Sequence, residues 1–223
     1  MGNPPLFLCD SDALVQFFLV DEILPLKALK NDYGIQPTIV EEVEIELRWM
    51  RKFKDKFVPQ LDKALRSSIL RVLDQTLFQT LLSGAPVGTS WAGFQKLGAQ
   101  YNGYVQRGEA YTFAAGATLN LPAMSNDRSA IRVLEANMMT LPSPVLRAFD
   151  LVAFSLSAGI LDLKACEALR SELLKNAEGL PRPFANASFE NGLKSFQARL
   201  VKGTPTTASQ GSGYASVLAI TGA

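Results

Sequence analysis

Histidine is missing from all 223 residues. Its absence removes Ser-His-Asp and Cys-His catalysis, imidazole acid–base chemistry and any His-ligated zinc. Chemistry in this chain therefore has to rest on carboxylates, lysine, tyrosine or a metal ion. Cysteine is scarce as well. Cys9 and Cys166 stand alone, with no CxxC pair and no disulfide framework, which predicts a reduced, cytoplasmic setting. The chain lacks a basic start followed by an apolar segment, and no apolar run is long enough to span a bilayer. A soluble protein without a membrane partner is expected.

What is present is enough to bury a sizeable core: 48% of the residues are hydrophobic and 19% charged. The net charge of +1 conceals an uneven distribution. Residues 1–47 carry nine acidic side chains against two lysines, whereas residues 48–71 carry eight Lys or Arg against Asp55 and Asp62 alone. An acidic half beside a basic stretch suits a protein that gathers carboxylates at one site and holds a polyanion nearby; a solvated basic helix face would give the same count.

The stretch Phe7-Leu8-Cys9-Asp10-Ser11-Asp12-Ala13-Leu14 reads as a buried strand that delivers Asp10 to the start of a helix over 13–19. A second helix is expected over 22–29, with Pro25 in its first turn and Tyr33-Gly34 closing it. A strand then begins past Pro37 and ends at Val40, followed by a helix from Glu41, acidic at its start as the helix dipole favours. Leucines four apart from Leu61 to Leu81 predict one long helix over 61–82. Residues 84–103 read as a loop with one strand near Trp91 to Leu97. Further on come a helix over 108–119, a strand over 121–124, a helix over 129–136 and a strand over 138–141. Helices near 145–158 and 163–177 follow, and then a last amphipathic helix carrying Phe189, Leu193, Phe196 and Leu200. From Gly203 the chain is small and polar, so residues 1–202 read as one domain and 203–223 as a flexible tail.

Strands alternating with helices imply an α/β fold with a mostly parallel sheet, and acids that follow strands line one edge of it. Asp10 and Asp127 follow strands, Glu109 opens a helix, and Glu42 and Glu46 lie one turn apart on another. Taken singly, each is more ordinarily a cap or a helix-start charge. Four carboxylates within about 5 Å would repel by roughly 3 kcal/mol per pair at an effective dielectric of 20, so they need a cation or raised pKa values. Oxygen ligands alone select Mg²⁺ or Mn²⁺, whose chemistry is phosphodiester hydrolysis by an activated water.

In order, the segments Asp10-Ser11-Asp12-Ala13-Leu14, Val40-Glu41-Glu42-Val43-Glu44-Ile45-Glu46-Leu47, Gly108-Glu109-Ala110 and Ser125-Asn126-Asp127-Arg128 resemble the four acidic motifs of PIN-domain nucleases. The resemblance covers residues 6–175 and is closest to prokaryotic PIN proteins related to the toxin ribonucleases of toxin–antitoxin pairs. It implies a PIN-like three-layer α/β/α fold with extra C-terminal helices. It also implies a Mg²⁺- or Mn²⁺-dependent endoribonuclease acting on single-stranded or loop RNA. Carried over position by position, Asp10, Glu46, Glu109 and Asp127 become the catalytic metal ligands, and Ser125 the hydroxyl of the last motif. Val40 stands where the family has proline, so Glu46 fits the second motif better than Glu42, which shares its helix face. Asn126 stands where some relatives have aspartate, and Asp12 reads as a helix cap or a supporting group. Arg48, Arg51, Lys52, Lys54 and Lys56 would continue the helix of the second motif and contact RNA phosphates. The family also brings an expectation of homodimers and of a small antitoxin-like partner.

Two other functions compete with this one. A PIN-like scaffold with a weak metal site would bind RNA or protein without cleaving. A haloacid dehalogenase-like phosphatase would use Asp10 as nucleophile and Asp12 as acid/base.

Overall fold

A computed structural model describes residues 4–20, 22–50, 54–142, 145–175, 180 and 182–194. Five strands form one all-parallel sheet in the order β3-β2-β1-β4-β5. They are β1 (Leu6–Cys9), β2 (Gln36–Val40), β3 (Arg71–Leu73), β4 (Ala123–Met124) and β5 (Val145–Leu146). Every residue of β1 and β2 is buried, as befits central parallel strands covered on both faces. Helices pack against the sheet to give the expected three-layer α/β/α architecture.

The helices are α1 (Ser11–Leu19), α2 (Leu24–Asn31), α3 (Glu41–Trp49), α4 (Lys54–Arg66), α5 (Gln75–Leu81) and α6 (Trp91–Tyr101). They continue with α7 (Arg107–Leu119), α8 (Arg128–Ala136), α9 (Ala148–Ser157), α10 (Leu163–Lys175) and α11 (Arg182–Ala185). The glycine- and alanine-rich α7 lies against β1, β2 and β4 and packs on α3 and α6. Its small residues Ala110, Ala114 and Ala115 are completely buried, which lets the helix approach the sheet closely. On α1, Leu14, Phe17 and Phe18 are buried while the helix touches α4, α9 and α10. Phe149, Phe184 and Phe189 form an aromatic cluster with centroids 5.0–6.1 Å apart that holds α11 and the residues after it to α9.

The chain lays down β1, β2 and β3 toward one side, then returns to place β4 on the other flank of β1. The order of strands therefore reverses between β1 and β4. In open parallel sheets, the crevice beyond the carboxyl ends of two such strands is where ligands are bound.

The expected long helix over 61–82 does not form. α4 stops at Arg66, where the Ser67 hydroxyl bonds back to the Lys63 carbonyl at 2.8 Å and Ser68 takes a left-handed conformation with φ 56°. Residues 71–73 then pair with β2, and Asp74 caps α5 by accepting the Leu77 amide at 2.7 Å. The leucine spacing fits a helix, but the outer edge of β2 needs partners for its amides and carbonyls, and β3 supplies them.

Residues 84–103 also depart from expectation. The strand expected at 91–97 is instead the start of α6, whose first turn is capped by Ser90 accepting the Gly93 amide at 3.1 Å. Two glycines depress the helical signal there. Gly98 is required, because the Tyr111 ring of α7 occupies the place a Cβ would take.

The last strand is β5 rather than 138–141, since Leu146 is the residue in register with Met124. Met138 is exposed with φ 56°, and α9 accordingly starts at Ala148 rather than Val145. β2 begins at Gln36, ahead of Pro37. The proline is tolerated because the Gln36 amide faces β1 and pairing with β3 starts only at Thr38, so the sheet asks for no amide at 37.

Helix α10 ends at Lys175 among the described residues, and residues 189–194 are helical. Phe196, Leu200 and the expected tail over 203–223 lie outside the described residues. No helix among the described residues is long and apolar enough to cross a membrane.

Candidate functional site

The site begins where β1 ends. The Asp10 amide donates to the Met124 carbonyl at 2.9 Å, locking the end of β1 to β4. The chain then turns into α1 with Asp10 as its N-cap, its carboxylate accepting the Ser11 amide at 2.8 Å. Asp10 is 2% exposed. Burial, the neighbouring carboxylates of Asp12 and Glu109 and, more weakly, Glu46 hold its pKa well above the ordinary aspartate range, against the pull of the Ser11 amide.

β4 brings the second group of residues. Ser125, just past the strand, donates its hydroxyl to Glu109 Oε1 at 3.2 Å and accepts the Asp127 amide at 3.2 Å. Asp127 caps α8, its Oδ1 accepting the amides of Ser129 at 2.7 Å and Ala130 at 3.2 Å. Asn126 is a three-way brace. Its amide donates to Asp12 Oδ2 at 2.9 Å, its Nδ2 donates to the Asp12 carbonyl at 3.3 Å, and its Oδ1 accepts the Ala148 amide at the start of α9 at 3.1 Å. The Asn126 side chain thus ties α1 to α9.

Glu109 enters from the first turn of α7 and is 5% exposed. Its pKa is pushed to about 8, first by burial and then by the charges of Asp127 and Asp12; the Ser125 hydroxyl opposes the shift. Glu46 comes from α3, where burial raises its pKa while the Ser11 hydroxyl opposes that rise. The close approach of α7 to α3 depends on Gly108, since a Cβ there would collide with Glu46 Oε2 and press on Val43.

The structure also separates Glu42 from Glu46. Glu42 turns toward Arg107, with Oε1 3.7 Å from the guanidinium, whereas Glu46 is among the charges that act on both Asp10 and Glu109. Of the two roles expected for Asp12, helix cap or supporting group, the cap falls to Asp10, and Asp12 acts electrostatically on both Asp10 and Glu109. No feature of the sequence pattern singles out Arg107, which lies at the start of α7 against the Tyr111 ring at 5.7 Å and remains 67% exposed.

Of the basic residues, Arg48 lies on α3, which ends at Trp49 with Met50 extended, whereas Lys54 and Lys56 belong to α4 and do not continue that helix. Arg48 is committed to Glu44 and Asp62, each at 2.9 Å. Lys56 is exposed on α4, the Lys54 side chain is not among those described, and Arg51 and Lys52 lie outside the described residues.

Asp10 and Glu109 therefore each feel the charges of Asp12 and Glu46, and Asp127 acts on Glu109 and Asp12, at one sheet edge. Among the described residues, however, no three such groups stand at a spacing that would hold a metal ion. The oxygens these residues offer are all carboxylate, the donor type that hard divalent cations take. Compared with family models, with curated proteins and with solved structures, the chain finds no match in any of the three.

Proposed function

We propose that the protein is a PIN-like endoribonuclease that cleaves single-stranded or loop RNA with the help of Mg²⁺ or Mn²⁺. The observation that carries this reading is that Asp10 faces the charges of Glu109 and Glu46, and Glu109 those of Asp127 and Glu46, at the point where the strand order reverses. Buried carboxylates that raise one another's pKa values call for a cation to neutralise them. With no histidine to act as acid or base, a metal-activated water is the phosphodiester chemistry that suits a group of carboxylates.

Asp10, Glu46, Glu109 and Asp127 would hold the cation. When bound it would supply charge for the developing phosphorane and a more acidic water. The residues around these acids set their directions. The α1 amide of Ser11 pins Asp10, the Ser125 hydroxyl fixes Glu109 Oε1, and the amides of α8 hold Asp127. An action in a toxin–antitoxin pair, a small protein partner, homodimerisation and a cytoplasmic location rest on the motif resemblance alone.

A second reading draws on the spacing of the acids, which does not already form a ligand set among the described residues. On it, the same edge belongs to a scaffold that binds RNA or protein without cutting. Incubating the full chain with a fluorescent single-stranded RNA in Mn²⁺ separates the two. Cleavage by wild type that is lost in Asp10→Asn supports the nuclease. Retention of intact RNA by both proteins supports the scaffold. Hydrolysis of a small phosphomonoester that is lost in Asp12→Asn would instead return the site to phosphatase chemistry.

A further inference from the structure

We propose that Trp49 and Arg107 hold a single-stranded RNA across the acidic edge, Trp49 by stacking on a base and Arg107 by binding a phosphate. The inference rests on the RNA-binding reading that nuclease and scaffold share, and it names the two side chains that do the holding.

Glu42, Glu46 and Trp49 follow one another at four and three residues on α3, so helix geometry sets them in one row along one side of the helix. At one end of the row Glu42 meets Arg107. In the middle Glu46 lies against Gly108 at the start of α7. At the other end Trp49 is 75% exposed, with Ile45 53% exposed one turn back. A rise of 1.5 Å per residue puts about 10 Å between the levels of Glu42 and Trp49, so Arg107 and Trp49 flank Glu46.

Arg107 is steadied from two sides, by Glu42 Oε1 at 3.7 Å and by the Tyr111 ring at 5.7 Å, while its side chain stays 67% exposed. A guanidinium so placed keeps N–H donors for a phosphate. The carboxylates between the two residues repel a polyanion, so a strand that crosses them has to be held on either side. Stacking on an indole is insensitive to that repulsion, and it is open to any base because every base has a π-face. An exposed tryptophan beside one isoleucine falls far short of the roughly 800 Å² that a stable protein interface covers on each partner, yet it matches a single base. Charge points the same way. Residues 48–56, which begin at this end of α3, hold five Lys or Arg against Asp55 alone, and such a density favours a polyanion.

The test is titration of the full chain with a short oligouridylate in EDTA. Trp91→Phe leaves Trp49 as the sole tryptophan, so its fluorescence reports stacking directly. The expected result is saturable quenching of Trp49, with a Kd raised at least about fivefold in Trp49→Ala and less in Trp49→Phe, which keeps a ring. Arg107→Gln should weaken binding and lower the slope of log Kd against log salt by about 1. Melting temperatures of these variants should stay at the wild-type value, since both side chains are exposed. Wild-type affinity in Trp49→Ala and Arg107→Gln overturns the assignment of these residues and leaves the RNA-binding reading standing. A change in Trp49 fluorescence that follows protein concentration and not RNA overturns it in favour of a contact between copies of the chain. Absence of RNA binding in EDTA overturns it too, and metal-dependent cleavage in Mn²⁺, measured separately, decides whether the nuclease reading falls with it.

Discussion

At the level of single residues, the acidic edge has a measurable electrostatic consequence. Glu109, ordinarily near 4.5, titrates at about 8, and Asp10 is displaced in the same direction by burial, Asp12 and Glu109. A carboxyl whose pKa is raised on folding keeps a proton that the unfolded chain has released. Without a divalent cation, the contribution of Glu109 to stability should therefore be fully present below about pH 4.5, fall as the pH rises toward about 8, and level off above that. Urea midpoints at pH 5 and pH 8 in EDTA test the sign. Glu109→Gln should flatten the fall, and a midpoint that rises with pH would contradict the burial of these charges. Gly108 offers a steric test. Gly108→Ala sets a methyl against Glu46 Oε2 and Val43, so it should cost about 1–3 kcal/mol in chemical denaturation and displace Glu46. Asp10, Glu109 and Asp127 were legible in the sequence because each sits beside a strand end or a helix start. The separate directions of Glu42 and Glu46 were not. One turn of helix puts both on the same face, and only the placement of Arg107 divides them.

At the level of elements, periodicity was reliable where tertiary pairing agreed with it and misleading where it did not. The helices after β1 and β2, and the small-residue helix α7, follow directly from apolar spacing and acidic first turns. The leucine run across 61–82 carries an equally clear helical period, yet the edge of β2 draws residues 71–73 into the sheet. Ser67-Ser68 and Asp74 were the local signs of that break. In α6 the reverse happened, and packing on α7 makes a helix of a glycine-bearing stretch. The two glycines there should behave differently. Gly98→Ala meets the Tyr111 ring at 2.6 Å and should lower stability by about 1–3 kcal/mol. Gly93→Ala meets only the Ser90 hydroxyl at 3.1 Å and should change stability by less than about 1 kcal/mol. Equal effects from the two substitutions would show that the α6–α7 contact is looser than described.

At the level of the whole molecule, alternating strands and helices made the parallel three-layer fold legible. The strand order was not, because no local pattern tells the chain to return past β1 after β3. That return builds the acidic edge, since it sets the end of β4 beside the end of β1 and joins Asp12 to Asn126, more than a hundred residues on in sequence. A cation that binds the folded edge and not the unfolded chain must stabilise the protein by mass action, by about 2.7 kcal/mol at a hundred times its Kd. Millimolar Mn²⁺ should therefore raise the melting temperature of wild type, more strongly as the pH rises through about 8 and Glu109 loses its proton, and should leave Asp10→Asn nearly unmoved. The most direct measurement is the rate at which the full chain cleaves an unstructured, end-labelled RNA in Mn²⁺ and in EDTA, with Asp10→Asn alongside. Metal-dependent cleavage by wild type, at least about a hundredfold faster than by Asp10→Asn, is the predicted result. Equal rates for the two proteins, or no cleavage by wild type in Mn²⁺, would contradict a catalytic role for the acidic edge.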